Sequence, residues 1–247
     1  MLYMGSNQED CKIIAEEINN YITNPDETEC FDLTVGGANI LDKINCKTLW
    51  GYDISPTLIS LHQAMQKDSQ MIPSEHFFNK ELWDECYKHY KLLHQQKGPT
   101  RSLEDYNRYT TNNNLYPLHK IGACEWYGSF GHGGFYQGMA PQDKRNYYKE
   151  ARYNHLEQML TTNYPYINFR VKDYAFVDMP PQAIIIAHIL SPKNYQWCGK
   201  FDKFKFYRWA STKSKTNPIF IIDDNPLMDT KPLKNLKSGK LYFLNHM

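Results

Sequence analysis

The sequence has no close cysteine pair, no long apolar run and almost no net charge, and each absence argues against a class of protein. Its six cysteines lie far apart without a Cys-x-x-Cys pair, which disfavours a disulfide scaffold or a cysteine-based zinc site. No apolar stretch is long enough to span a membrane, and the N-terminus has no signal-peptide pattern. A formal net charge of +1 gives no global field that would attract nucleic acid, so any basic footprint must be local. We therefore expect a soluble, cytoplasmic chain with no metal site and no membrane contact.

The composition is that of a folded protein. Of 247 residues, 41% are hydrophobic and 15% aromatic, so disorder throughout the chain is not expected. This length suits one sizeable α/β domain, or a core domain with a smaller insert.

The first 67 residues alternate between predicted helices and short strands. The segment "CFDLTVGGANI" reads as a strand that ends in Gly36-Gly37, and "KTLWGYDIS" as a second strand that ends at Asp53. Ser55-Pro56 is a helix start, with serine as the cap and proline at the first helical position, and this helix is expected to reach about Gln66. Such alternation is typical of the beginning of a parallel sheet.

The middle of the chain, residues 68–162, is polar and aromatic and interrupts this alternation. Its segment "TRSLEDYNRYTTNNNLYP" is predicted to be a long loop. We interpret residues 68–162 as a subdomain inserted into an α/β core made of residues 1–67 and 163–247.

The alternation resumes after the insert. Strands are predicted in "YINFRVKD", "QAIIIAHIL" and "PIFIIDD", and "KPLKNLKSGKLYFLNHM" reads as a closing hairpin or a basic tail. The segment "FDKFKFYRWAS" is predicted to be a helix capped by Asp202. We expect the cations of this helix to face solvent and its aromatic residues to be buried, namely Phe204, Phe206, Tyr207 and Trp209.

Glycines and acids at predicted strand ends suggest a pocket for a nucleoside-type ligand. The Gly36-Gly37 turn would let a ligand approach the backbone, because no side chain is in the way. Asp53, which ends the next strand, could accept hydrogen bonds from ribose hydroxyls, and Asp173, at the end of a third strand, from an adenine amino group. Each feature also has a plain structural interpretation, as a tight turn or as a helix cap.

The chain resembles the Dam-type (alpha-group) adenine-N6 DNA methyltransferases, especially short phage and bacterial members. The resemblance covers nearly the whole sequence and depends on the order and spacing of its segments. These are, in chain order, "YMGS", "VGGANILDKI", "GYDIS", "GSFGHGGFYQGMA", "VKDYAFVDMPPQAIII", "CGKFDKFKFYRWAS" and "FIIDDN". The resemblance implies a Rossmann-like fold with a mostly parallel seven-stranded sheet and a DNA-recognition insert. It also implies S-adenosylmethionine as the methyl donor and a flipped adenine as the substrate.

The catalytic tetrapeptide of that family, Asp-Pro-Pro-Tyr or a close variant, follows a buried strand. Its carboxylate and a backbone carbonyl hold the target amino group, its prolines fix the loop, and its ring stacks on the flipped base. Met179-Pro180-Pro181-Gln182 is the tempting match, but it precedes the apolar strand Ala183–Ile186. Counting through the strand places His188-Ile189-Leu190-Ser191 at the catalytic position, where the carboxylate, both prolines and the ring are all missing.

The donor site that the resemblance implies is only partly kept. The family's Glu/Asp-Pro-Phe stands here as Asp32-Leu33-Thr34, and the lysine that follows Gly-Ser near the N-terminus is Asn7. S-adenosylmethionine is therefore a candidate cofactor whose binding stays open. The residues that would hold it are Gly5, Asp32, Gly36, Gly37, Asp53 and Asp173.

The recognition insert of the family corresponds to a central basic helix in this chain. Its cations would contact the phosphates of double-stranded DNA, or they would form an ordinary solvated helix face. They are Lys144, Arg145, Lys149 and Arg152.

Three hypotheses follow from the sequence. The first is a catalytically silent methyltransferase homologue that serves as a binding or structural module, with double-stranded DNA or a protein as its partner. The second is an active, site-specific adenine methyltransferase with a divergent motif. The third is a structural subunit of a larger, phage-like assembly.

Overall fold

The structure is a computed structural model that describes residues 8–68, 71, 80–94, 102–128, 164, 166–189 and 201–245. It contains a seven-stranded, mostly parallel sheet. The strands are β1 (Glu29–Asp32), β2 (Thr48–Asp53), β3 (Ile167–Val171), β4 (Ile184–His188), β5 (Ile219–Asp223), β6 (Lys234–Asn235) and β7 (Lys240–Leu244). The helices are α1 (Gln8–Tyr21), α2 (Pro56–Lys67), α3 (Lys80–His94), α4 (Leu103–Asn112), α5 (Leu118–Gly128) and α6 (Lys203–Lys213), with 3-10 turns at Leu41–Lys43 and Tyr174–Phe176. The predicted α/β class is confirmed.

The strand order β3-β2-β1-β4-β5-β7-β6 places a topological switch point between β1 and β4. From β1 the chain moves to one side through β2 and β3, and it then returns to pair β4 with the other edge of β1. The pairs β1–β2, β1–β4 and β4–β5 are parallel, whereas β7 runs antiparallel to both β5 and β6. Open parallel sheets bind ligands beyond the carboxyl ends of their strands at such a point.

Local sequence explains the best-predicted elements. The Ser55 hydroxyl accepts a hydrogen bond from the Leu58 N–H at 3.3 Å, which caps α2 just before Pro56. The Asp202 carboxylate accepts one from the Lys205 N–H at 2.9 Å and caps α6 in the same way. Strands β4 and β5 are apolar and buried on both faces, as interior parallel strands are.

The chain divides into two compact units, and the first contains most of the sheet. Its described residues are 8–53, 166–168, 173–189 and 201–245. On one face, the Tyr21 ring of α1 contacts the rings of Phe220 and Phe243. On the other face, alternate strand residues form a buried cluster with Phe206 and Tyr207 of α6. This unit is therefore a helix–sheet–helix sandwich.

The second unit contains the helices α2–α5 and residues 169–172. Within it the Thr57 hydroxyl donates to the buried Glu125 carboxylate at 2.8 Å, which joins α2 to α5. Whether residues 68–162 are an insert with those boundaries stays a prediction, and residues 129–162 lie outside the described part.

Two predictions about these elements are wrong. The segment predicted to be a long loop contains α4, because Ser102 and Asp105 form a reciprocal capping box and Tyr106 and Thr110 are buried. The first strand ends at Asp32 and not at the Gly36-Gly37 turn. From Leu33 onward, the chain leaves the regular strand pairing and bonds to the strands on both sides. The Leu33 N–H donates to the Ile186 carbonyl of β4, and the Val35 N–H donates to the Tyr52 carbonyl of β2.

No helix among the described residues is long and apolar enough to cross a membrane.

We predict that Gly122→Ala destabilises the protein. A Cβ atom at this position would lie 2.4 Å from the backbone oxygen of Thr57, so α2 and α5 would have to separate. Alanine ordinarily stabilises a helix relative to glycine, but overpacking of this kind costs about 1–3 kcal/mol. Urea denaturation measures the loss, and a variant as stable as the wild type would show that the two helices are not packed this closely.

Candidate functional site

Titratable side chains end four neighbouring strands of the sheet. Asp32, Asp53, His188 and Asp223 are the last residues of β1, β2, β4 and β5. The three aspartates expose only 3%, 4% and 3% of their surface, respectively, and His188 is half-buried. Because carboxyl ends of parallel strands meet at one edge, these groups line the edge where the topology places a ligand site. We call this set the carboxyl edge.

Thr34 joins β1 to β4 at the switch point. Its hydroxyl accepts a hydrogen bond from the His188 backbone N–H at 2.6 Å, and its own N–H donates to Oδ1 of Asp32 at 3.0 Å. The next residue, Ile189, is buried and donates its N–H to the Ile222 carbonyl at 2.8 Å. The backbone that leaves β4 is therefore fixed on both sides.

The Asp32 carboxyl is held in an unfavourable environment for a charge. Burial raises its pKa to about 7, since an ionised carboxylate loses its hydration there, and the nearby Asp53 carboxylate raises it further. The hydrogen bonds from Thr34 oppose this shift. Near neutral pH, Asp32 is therefore present in both protonation states.

The His188 imidazole is neutral at neutral pH. Burial lowers its pKa below the usual value, and the carboxylates of Asp224, Asp223 and Asp10 only partly oppose that shift. A neutral ring cannot replace the negative charge of the carboxylate that the family resemblance leads one to expect here.

Asp223 is the centre of an ionic network that connects β5 to α6. It accepts hydrogen bonds from Lys203 Nζ at 2.8 Å, from the Tyr207 hydroxyl and from the Asn225 N–H at 3.0 Å. Lys203 Nζ also donates to the Asn225 carbonyl. The buried carboxylate is therefore satisfied by protein groups, as a buried charge must be.

Some of the residues predicted to bind a nucleoside-type ligand are described by the structure, and these do not form an open pocket. Gly36 adopts φ 48°, which favours glycine, but Gly36 and Gly37 are buried together with Asp32 and Asp53. Asp173 follows β3 by two residues and does not end it, and its Oδ1 accepts from the Ala175 N–H at 2.9 Å as the cap of a 3-10 turn. The described residues therefore give no support to S-adenosylmethionine as a cofactor.

The proline pair lies at the opposite edge of the sheet. The pair precedes β4. In the same turn, Gln182 has φ 66° and donates its N–H to the Thr216 carbonyl at 2.8 Å. Asn217 Nδ2, just before β5, donates to the carbonyls of Pro180 and Ala183 at 2.7 and 3.0 Å. This turn joins the amino ends of β4 and β5 and is remote in the ladder from the carboxyl edge.

Several predicted site residues lie outside the described residues, so their positions stay predictions. They are Gly5, Lys144, Arg145, Lys149, Arg152, Leu190 and Ser191.

The prediction for the side chains of α6 was wrong at two positions. Phe204 is 74% exposed, and Lys203 turns inward to Asp223 although the cations of α6 were expected outside. Two features of the sequence belong to this ion pair: the acidic end of "PIFIIDD" and the lysine directly after the Asp202 cap. Nothing in the sequence indicated that the two would meet, because their contact depends on how α6 packs against the sheet.

Among the described residues, no group of three or more His, Cys, Asp or Glu side chains could hold a metal ion. No protein-family model matches the chain, and no curated protein matches it.

Proposed function

We propose that the chain is a catalytically silent homologue of the Dam-type adenine-N6 DNA methyltransferases that keeps the sheet as a binding or structural module. One observation carries the proposal. Two of the positions at which the sequence departs from the family's donor and catalytic motifs, Thr34 and His188, are bonded to each other across β1 and β4. Phenylalanine, which the family resemblance leads one to expect at position 34, has no oxygen with which to make this bond.

The end of β4 lacks the groups that adenine methylation requires. A flipped adenine must have its amino nitrogen aimed at the methyl donor by a carboxylate and a backbone carbonyl. Here the side chain is a neutral imidazole, and the following residue is a buried isoleucine in place of a proline. Loss of one positioned polar contact raises a reaction barrier by about 2–4 kcal/mol, and loss of the base stack adds about 1–3 kcal/mol in substrate binding.

A partner surface is available on α6. Phe204 is exposed on this helix, and so are Lys205 and Arg208. Cations at these positions suit the phosphates of a nucleic-acid backbone, which supports double-stranded DNA as the partner of the module. A protein partner, or a place in a larger assembly, is the alternative.

Methyl transfer from labelled S-adenosylmethionine to a mixed-sequence duplex tests the proposal. We expect the wild type and His188→Ala to give the same incorporation as a blank without protein, because the imidazole has no catalytic role. Incorporation that depends on His188 would instead support an active enzyme with a divergent motif. Calorimetry with S-adenosylmethionine in the same preparation shows whether the donor binds at all.

Duplex binding at increasing salt separates the candidate partners. If DNA is the partner, affinity falls linearly with the logarithm of salt concentration, and Arg208→Ala weakens binding. If no duplex binds even at low salt, the result favours the alternative, a protein partner or a larger assembly.

A further inference from the structure

A small pocket lies at the amino end of β2, the opposite end of that strand from Asp53. Its volume is about 340 Å³, near the lower end of the range of about 300–1,000 Å³ that is usual for ligand sites. The residues that line it all belong to the sheet unit. Those that carry polar or reactive groups are Asp42, Lys43, Asn45, Cys46, Lys47 and Tyr166.

The backbone that forms the wall of this pocket is held by side-chain and main-chain bonds. Asn19 of α1 bonds to it twice, with Nδ2 donating to the Lys43 carbonyl at 2.9 Å and Oδ1 accepting from the Asn45 N–H at 2.9 Å. The Lys47 N–H donates to the Thr28 carbonyl at 3.0 Å. The backbone from residue 43 to residue 47 is therefore fixed at three points, so a ligand does not have to order it on binding.

The pocket carries one positive charge in excess. Lys43 Nζ lies 2.6 Å from Oδ1 of Asp42 and also donates to the Asn39 carbonyl at 2.9 Å, so the charges of Lys43 and Asp42 offset each other. Lys47 is exposed, and no acid in the described part of the chain forms an ion pair with it. A ligand with one negative charge balances Lys47, whereas a dianion such as a phosphate monoester leaves excess negative charge near Asp42.

The rest of the lining suits a flat apolar group. Ile44 and Leu49 are buried and supply aliphatic surface to the pocket. The Tyr166 side chain is 54% exposed, and its hydroxyl donates to the Asp42 carbonyl at 3.4 Å, which holds the ring beside the pocket. An aromatic ligand would stack on this ring and cover it.

We propose that this pocket binds a small aromatic monocarboxylate, of which benzoate is the simplest example. The carboxylate pairs with Lys47 Nζ and accepts a hydrogen bond from the Asn45 side-chain amide, and the ring packs against Tyr166 and Leu49. The small volume limits the ligand to about one ring with short substituents. Because the pocket lies away from the carboxyl edge, the inference does not depend on the proposed function.

Alkylation of Cys46 reports whether the pocket is occupied, because this thiol lines the pocket and is half-buried. The rate of its reaction with iodoacetamide is measured in the folded protein at increasing sodium benzoate, with sodium chloride keeping the ionic strength constant. Trypsin then releases Cys46 in peptide 44–47, which contains no other cysteine. We expect benzoate to slow the alkylation in a saturable manner, with a dissociation constant on the order of 1 mM for a ligand of this size.

Two simpler ligands separate the charge from the ring in the wild-type protein. Acetate has the carboxylate without the ring, and benzyl alcohol has the ring without the charge. Each should protect Cys46 with a dissociation constant at least about tenfold higher than that of benzoate. Equal protection by either compound overturns the proposal, and so does an alkylation rate that benzoate leaves unchanged up to about 50 mM.

Variants assign the two contacts to their residues. Lys47→Met removes the charge and is expected to raise the dissociation constant of benzoate about tenfold, and Tyr166→Ala is expected to raise it about threefold or more. Lys12→Met removes an exposed cation of α1 that does not line the pocket, and as the matched control it should leave the constant unchanged. If Lys47→Met binds benzoate as tightly as Lys12→Met does, Lys47 does not hold the carboxylate and the proposal is wrong.

Discussion

Lys203→Ala is expected to lower the free energy of unfolding by about 3 kcal/mol. The substitution removes the cation that pairs with Asp223, a carboxylate whose side chain is 2% exposed, and it also removes a bond to the Asn225 carbonyl. Breaking one partner of a buried ion pair costs about 3–5 kcal/mol because the remaining charge is left buried. The Tyr207 hydroxyl and the Asn225 N–H still donate to Asp223 in the variant, so we expect the loss of stability to be near the lower end of this range.

Lys205→Ala is the matched control, since Lys205 is exposed in the same first turn of α6. A cation near a helix N-terminus opposes the helix dipole, so removing it should be neutral or slightly stabilising. Chemical denaturation of both variants measures the difference. If Lys203→Ala and Lys205→Ala agree within about 0.5 kcal/mol, the Lys203–Asp223 pair does not hold α6 on the sheet.

Asp32→Asn is expected to stabilise the protein at pH 8 and to have little effect at pH 4. The pKa of Asp32 is about 7 in the folded chain, against 3.8 for an ordinary aspartate. Between these values the folded state binds more protons than the unfolded state, so the free energy of unfolding falls as pH rises. The difference between these two pKa values corresponds to about 4 kcal/mol at pH 8. Asparagine carries no charge and keeps an oxygen for the Thr34 N–H.

Thermal unfolding of the wild type and Asp32→Asn from pH 4 to pH 8 measures this effect. Asp26→Asn, an exposed acid in the turn before β1, is the control and should follow the wild type throughout. If the variant is less stable than the wild type at pH 8, the ionised Asp32 carboxylate stabilises the folded state, which contradicts its raised pKa.

Sequence patterns were sufficient where one local signal determines an element. Ser55-Pro56 and Asp202 begin their helices as predicted, and the apolar runs of β4 and β5 have the length and composition of buried parallel strands. The position of the proline pair ahead of β4 was also correct. Each of these predictions depends on side chains within a few positions of one another.

Patterns failed where contacts between distant segments decide the outcome. Helix α4 is rich in Asn, Thr and Tyr and looks like a loop, yet the Ser102–Asp105 box and burial of Tyr106 make it helical. Lys203 faces inward only because Asp223, 20 positions later, ends a neighbouring strand. Gly36 and Gly37 are likewise buried, which a Gly-Gly pair in a sequence does not indicate.

A single-turnover reaction with the protein in excess over duplex DNA tests the loss of catalysis most directly. The duplex is incubated with S-adenosylmethionine, digested to nucleosides and analysed for N6-methyladenine by mass spectrometry. With a neutral His188 and a buried Ile189 at the end of β4, we expect no more N6-methyladenine than in a reaction without protein. Methylation of even a few per cent of the target adenines, present with the wild type and absent without it, would contradict the account.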